Sequence, residues 1–155
     1  MNDDWRPTLQ ELPAHVQRLP VLQQASCLVG IPYQAGVFDC GHLAVAAARL
    51  LFGKVVQLPG SNAHPTSARE MGAAIALGRR EAATPVAVDQ VVPGCVVLFT
   101  ETLDNGGTQW HLGTVVANLP ETWVLHTREG GFSMLQRMAD CLRQGLHFEG
   151  FYAWR

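Results

Sequence analysis

Apolar and polar positions follow a helical period in the first third of the chain and a strand period in the last half. The first thirty residues read as helical, and "PVLQQASCLVG" has Pro20 as a helix-start residue and Gly30 as a stop. A Gly/Pro-containing loop, "GIPYQAG", leads into "DCGHLAVAAARLLFG", which predicts a helix to about Leu51, stopped at Gly53. "QLPGSNAHPT" reads as a loop. "SARE" is a capping box, Ser67 with Glu70, and predicts a second helix to about Arg80.

The period then shortens. "TPVAVDQVVPGCVVLFTET" reads as β, broken at Pro93-Gly94, and "NGGTQ" is a turn. "WHLGTVVA" and "TWVLHT" predict two strands joined by "NLPE". "SMLQRMADCLRQG" reads as a capped helix, with Ser133 and Gln136 as its capping box and Gly145 as its stop, and "LHFEGFYAWR" reads as a closing strand. Helices first and hairpin-linked strands later predict an α+β fold, N-terminal helices packed on a central antiparallel sheet.

Composition narrows the class. One domain spanning 1–155 is the default at this length, with 48% hydrophobic and 15% charged residues. The net charge is −2 and the eleven basic residues are scattered, so nucleic acid is not an expected partner. No apolar run is long enough to span a bilayer. The start, "MNDDWRPTLQELPAH", is acidic and polar and does not read as a secretory signal, so the expectation is synthesis in the cytoplasm. The four cysteines form no CxxC pair and read as free thiols. Cys27, Cys95 and Cys141 lie within apolar periodicity and are expected in the core.

Cys40 differs because it sits at the mouth of its helix, directly after Asp39, a good N-cap residue. Helix-terminal N–H groups favour a thiolate there and can receive an oxyanion, while the adjacent Asp39 charge opposes ionisation. A nearby imidazolium would be needed to win, and His111 and His126 are the candidates. If the turn is the four residues Asn118 to Glu121, Ala117 pairs with Thr122 and His126 lies opposite Gly113, so both imidazoles project from one face. With the Cys40 helix packed on that face, nucleophile, base and orienting group would form a line. Gly113 has no side chain to separate the rings.

Each residue also has a plainer reading. A helix-start cysteine is more often structural than catalytic, and a strand histidine is usually a satisfied polar group. His42 reads as helix surface or local hydrogen bonding, and His15, His64 and His147 carry no usable pattern. Zinc held by Cys40, His111, His126 and His42 is a further reading, but the spacing matches no compact zinc motif.

Taken together, "GIPYQAGVFDCGHL", "PGCVVLF", "WHLGTVV" and "WVLHT" resemble, in order, the catalytic-cysteine segment and three strands of NlpC-type cell-wall peptidases. The resemblance covers about residues 28–130, and "GLHFEGFYAWR" resembles variants associated with bacteriophage tails. It implies a papain-like fold and a cysteine hydrolase cutting amide bonds in peptidoglycan stem peptides, with no cofactor or metal. It implies Cys40 as nucleophile, His111 as general base and His126 as orienting residue. Tyr33 would sit by the oxyanion or substrate site, and Asp39 would bind the stem peptide's amino group. Gly41 and Cys95 depart from the family's serine and aspartate, although a Gly41 N–H could still serve the oxyanion. The loops "LPGSNAHPT" and "TLDNGGTQ" would shape the cleft. Access to the wall would come from a phage particle, a secretion machine or lysis. Acyl transfer shares the same acyl-enzyme, and a non-catalytic phage tail or assembly module, with tail proteins as partners, is the competing class.

Overall fold

A computed structural model describes residues 11–56, 77 and 81–155. The Ser67–Glu70 capping box, its helix and the "LPGSNAHPT" loop lie outside the described residues apart from position 77. The chain is α+β. Two short helices, α1 (Ala14–Gln17) and α2 (Val21–Ala25), precede α3 (Cys40–Phe52). Strands follow as β1 (Ala83–Val86), β2 (Val96–Thr102), β3 (Thr108–Ala117), β4 (Trp123–His126) and β5 (Met134–Arg137). Helix α4 (Met138–Arg143) and β6 (Leu146–Trp154) close the chain. The six strands form one antiparallel sheet in the order β1-β6-β2-β3-β4-β5. Among the described residues no helix is long and apolar enough to cross a membrane.

Helix α3 begins and ends as its sequence dictates. Asp39 Oδ1 accepts from the N–H groups of Gly41 (3.0 Å) and His42 (3.2 Å), satisfying two donors that the helix cannot. Gly53 stops it in the left-handed region at φ 65°, where a side chain would be strained.

Strand alternation sorts the core into two faces. Val96, Leu98, Leu112, Val116 and Leu125 lie on the α3 side, packed with Cys40, Leu43, Ala44, Ala47 and Ala48. Val97, Phe99, Val115 and Val124 lie on the other, with Cys141 of α4. The alanine run lets α3 approach the sheet closely.

The β3–β4 register departs from expectation and then returns to it. Ala117 pairs with Trp123, not Thr122, and an irregularity between Val115 and Ala117 absorbs the one-residue slip. Gly113 therefore still faces His126, as the alternation requires. Asn118 anchors the turn, donating to the Val91 carbonyl at 2.8 Å and accepting from Thr122 Oγ1 at 2.6 Å.

The Ser133–Gln136 capping box does not form. Met134–Arg137 is strand β5, paired residue for residue with β4, and the helix starts only at Met138. As the end strand of the sheet, β5 pairs its inward-facing backbone groups with β4 along all four residues, which a capping box could not have done. Ser133 instead accepts from the Ile31 N–H (2.9 Å) and donates to the Leu28 carbonyl (2.6 Å), tying the loop before α3 to the β4–β5 connection. Pro32 bridges Phe132 and the Tyr33 N–H donates to the Gly131 carbonyl along the same seam. Ser133→Ala leaves two buried backbone groups unpaired and is expected to cost about 2 kcal/mol, read as a lower urea midpoint at unchanged m.

Candidate functional site

His111 and His126 meet at the end of β4, and Cys40 lies near the Leu112 N–H that follows His111. In an antiparallel ladder successive N–H groups point alternately to the two neighbouring strands. Val115 donates to the Cys95 carbonyl of the segment leading into β2 at 2.8 Å, so the Leu112 N–H, three residues away, points toward β4. β4 ends there, because Gly113–His126 is its last pair with β3. Cys40 lies close enough to the Leu112 N–H for that group to favour its thiolate.

The imidazoles are locked together. His111 Nε2 and His126 Nδ1 are 2.8 Å apart, with the rings edge to face at 83°. His126 Nε2 lies 2.7 Å from Gln136 Oε1, and Gln136 Nε2 donates to Gln144 Oε1 at 3.1 Å. The Cys141 sulfur is 3.7 Å from His126 Nε2. In the sequence Gln136 carries the spacing of a helix cap. In the structure Val124 pairs with Gln136, which puts Gln136 on the same face as His126.

Two expectations are corrected. Helix α3 does not pack on the face that carries the imidazoles. A Cβ on Gly113 would point at Val97, Val124 and His126, and His111, two residues away, shares that face beside Phe99. Cys40 therefore reaches His111 only around the open edge of β3, and no Cys40–His111 hydrogen bond forms among the described residues. Nor is the thiol an ionised one at the surface. Cys40 is only 3% exposed. The N–H groups of Leu112, Gly41 and Cys40 itself favour the thiolate, but burial, reinforced by the Asp39 charge, pushes the thiol up to about 12. The imidazolium that could have reversed this is absent, because burial and the neighbouring His126 push His111 down to about 3. His126 is also lowered by burial, against the hydrogen bond to Gln136, which raises it. The resting site holds a neutral thiol and neutral rings.

Asp39 is buried and its carboxylate is engaged by its own loop. Oδ2 accepts from Gly36 N–H at 3.3 Å, and His42 Nδ1 lies 2.8 Å from Oδ1. Asp39, expected to bind the stem peptide's amino group, caps α3, and the Gly41 N–H, expected at the oxyanion, donates to Asp39 Oδ1. Tyr33 is half-buried beside these groups. Burial pushes its phenol up to about 12, with Cys40, Asp39 and Glu129 adding to the effect. Cys95 and Cys141 lie in the core as expected, and Cys27 packs partly buried against it. Among the described residues no group of three or more His, Cys, Asp or Glu side chains could hold a metal ion.

These protonation states set a stability profile. Above pH 6.5 the rings are neutral in folded and unfolded chains alike, and below it only the unfolded chain takes up protons freely, so stability falls toward pH 3. Above pH 9.0 the unfolded chain loses thiol protons that folded Cys40 and Cys141 retain, so stability falls again toward pH 12. Urea midpoints are expected to form a plateau between pH 6.5 and 9.0, and a midpoint rising from neutral to acid pH would contradict it.

No family model and no curated protein matches the chain.

Proposed function

We propose that the chain is a papain-like cysteine hydrolase that cleaves amide bonds in peptidoglycan stem peptides. The observation that carries this reading is the His111 Nε2–His126 Nδ1 bond, with the helix-start Cys40 thiol near the N–H of Leu112, the residue after His111. Its resemblance to the cysteine, strand and histidine segments of NlpC-type peptidases, in the same order, supplies the substrate class.

Chemistry then starts from a neutral pair. As the sulfur attacks the substrate carbonyl, His111 takes the thiol proton and the carbonyl π electrons move onto oxygen. Collapse of that intermediate breaks the C–N bond, and His111 gives the proton to the leaving amine. Water, deprotonated by His111, then cleaves the thioester and releases a carboxylic acid, and the thiol is restored. Transfer to an amine in place of water would use the same thioester. Tyr33, close to Cys40, would line the substrate side. The protein would reach the wall through a phage particle, a secretion machine or lysis.

The test is digestion of purified sacculi with mass spectrometry of the fragments. New paired amino and carboxyl termini within stem peptides, suppressed by prior iodoacetamide treatment, support the hydrolase. Intact sacculi at high protein concentration overturn it.

The buried, protonated thiol favours a second reading, a phage tail or assembly module that keeps the fold for binding. Slow and equal alkylation of all four cysteines would support that module.

A further inference from the structure

The geometry points to Gln136 as a positioning residue that sets the tautomers of both histidines and so leaves the lone pair of His111 on Nδ1. The inference rests on the hydrolase reading for its purpose, but not for its chemistry.

The chain of donors starts at α4's C-terminal side. Gln136 spends its Nε2–H on Gln144 Oε1, which leaves its carbonyl Oε1 facing His126. An amide oxygen can only accept, so His126 Nε2 must carry the hydrogen at 2.7 Å. The Cys141 thiol competes for that nitrogen, but at 3.7 Å it is a weak partner beside the carbonyl. A neutral imidazole protonated on Nε2 has its lone pair on Nδ1. His126 Nδ1 therefore accepts, and His111 Nε2 donates, across the 2.8 Å contact. His111, also neutral, is then unprotonated at Nδ1.

Without Gln136 nothing else among these contacts decides the matter. The two rings could reverse the bond between them, with His126 Nδ1 donating, and His111 would then hold its hydrogen on Nδ1. A base with its proton on that atom could not receive another there as a neutral ring. An outer partner of this kind fixes ring orientation and tautomer.

Nitrogen-15 spectra of histidine-labelled full-length protein at neutral pH report tautomers directly. In the wild type, both His111 and His126 are expected as Nε2–H tautomers. In Gln136→Leu, which puts an apolar side chain at this half-buried position beside His126, His111 is expected to become a mixture of tautomers and Cys40 alkylation to slow about tenfold. Gln136→Glu, which keeps an accepting oxygen, should restore the wild-type tautomers. An Nδ1–H tautomer of His111 in the wild type overturns the inference whether or not any variant folds, and so do unchanged tautomers in a folded Gln136→Leu protein. The spectra need no substrate, so intact sacculi would refute the hydrolase reading while leaving the tautomer assignment to stand or fall on its own measurement.

Discussion

Replacing Cys40 with alanine is expected to reduce release of stem-peptide fragments from sacculi by about 10⁴-fold or more, to the level of the untreated wall. Cys40 is the nucleophile of the proposed reaction. The three described cysteines besides Cys40 are placed differently: Cys95 and Cys141 are buried on the face away from α3, and Cys27 packs by the N-terminal helices. The substitution deletes one sulfur atom from a close-packed position and leaves a methyl side chain, which should cost about 1 kcal/mol of stability, so the variant remains folded for the assay. Fragment release that persists in folded Cys40→Ala protein would remove the sulfur from the mechanism. His111→Ala is expected to lie between the two, about a hundredfold to ten-thousandfold down, on the scale of general acid–base catalysis.

The second large effect is on the fold at Gly113. A Cβ there would lie 2.4 Å from Val124 Cγ1, 3.3 Å from Val97 Cγ1 and 3.4 Å from His126 Cβ. The first distance cannot be tolerated, and Val124 is a fully buried β-branched residue between neighbouring strands with little room to turn. Gly113→Ala is expected to cost about 3 kcal/mol, lowering the thermal midpoint by roughly 6–12 °C for a domain of this size. Adding Val124→Ala removes the clashing methyl group and should recover part of that loss, giving a coupling energy in the double-mutant cycle well above about 0.5 kcal/mol. Additive losses would show that the glycine is required for some reason other than this approach. The same glycine brings the β4 backbone close enough to β3 for the His111–His126 bond, so the variant tests the site and the fold together.

The sequence by itself determined a good deal. Local signals act within a few residues, and where one side chain or one period decides the backbone they were sufficient. Asp39 and Gly53 mark the ends of α3 and the period of two marks β3, β4 and β6, while the pairing of Gly113 with His126 needed the irregularity between Val115 and Ala117 to offset the slip at the turn. The candidate residues Cys40, His111 and His126 were legible for the same reason.

Tertiary structure alone decided three matters. Ser133 and Gln136 carry the spacing of a capping box, yet β4 offered their segment a ladder along its inward side, and that pairing outweighs a cap. The side of the sheet on which α3 packs could not be read from the periodicity of either element, since both faces of β3 are apolar, with Leu112 and Val116 on one and Val115 on the other. The ionisation of Cys40 depends on how much water is excluded around it. Three backbone N–H groups pull toward the thiolate as the helix start promised, but burial is a property of the whole packed core, and it prevails.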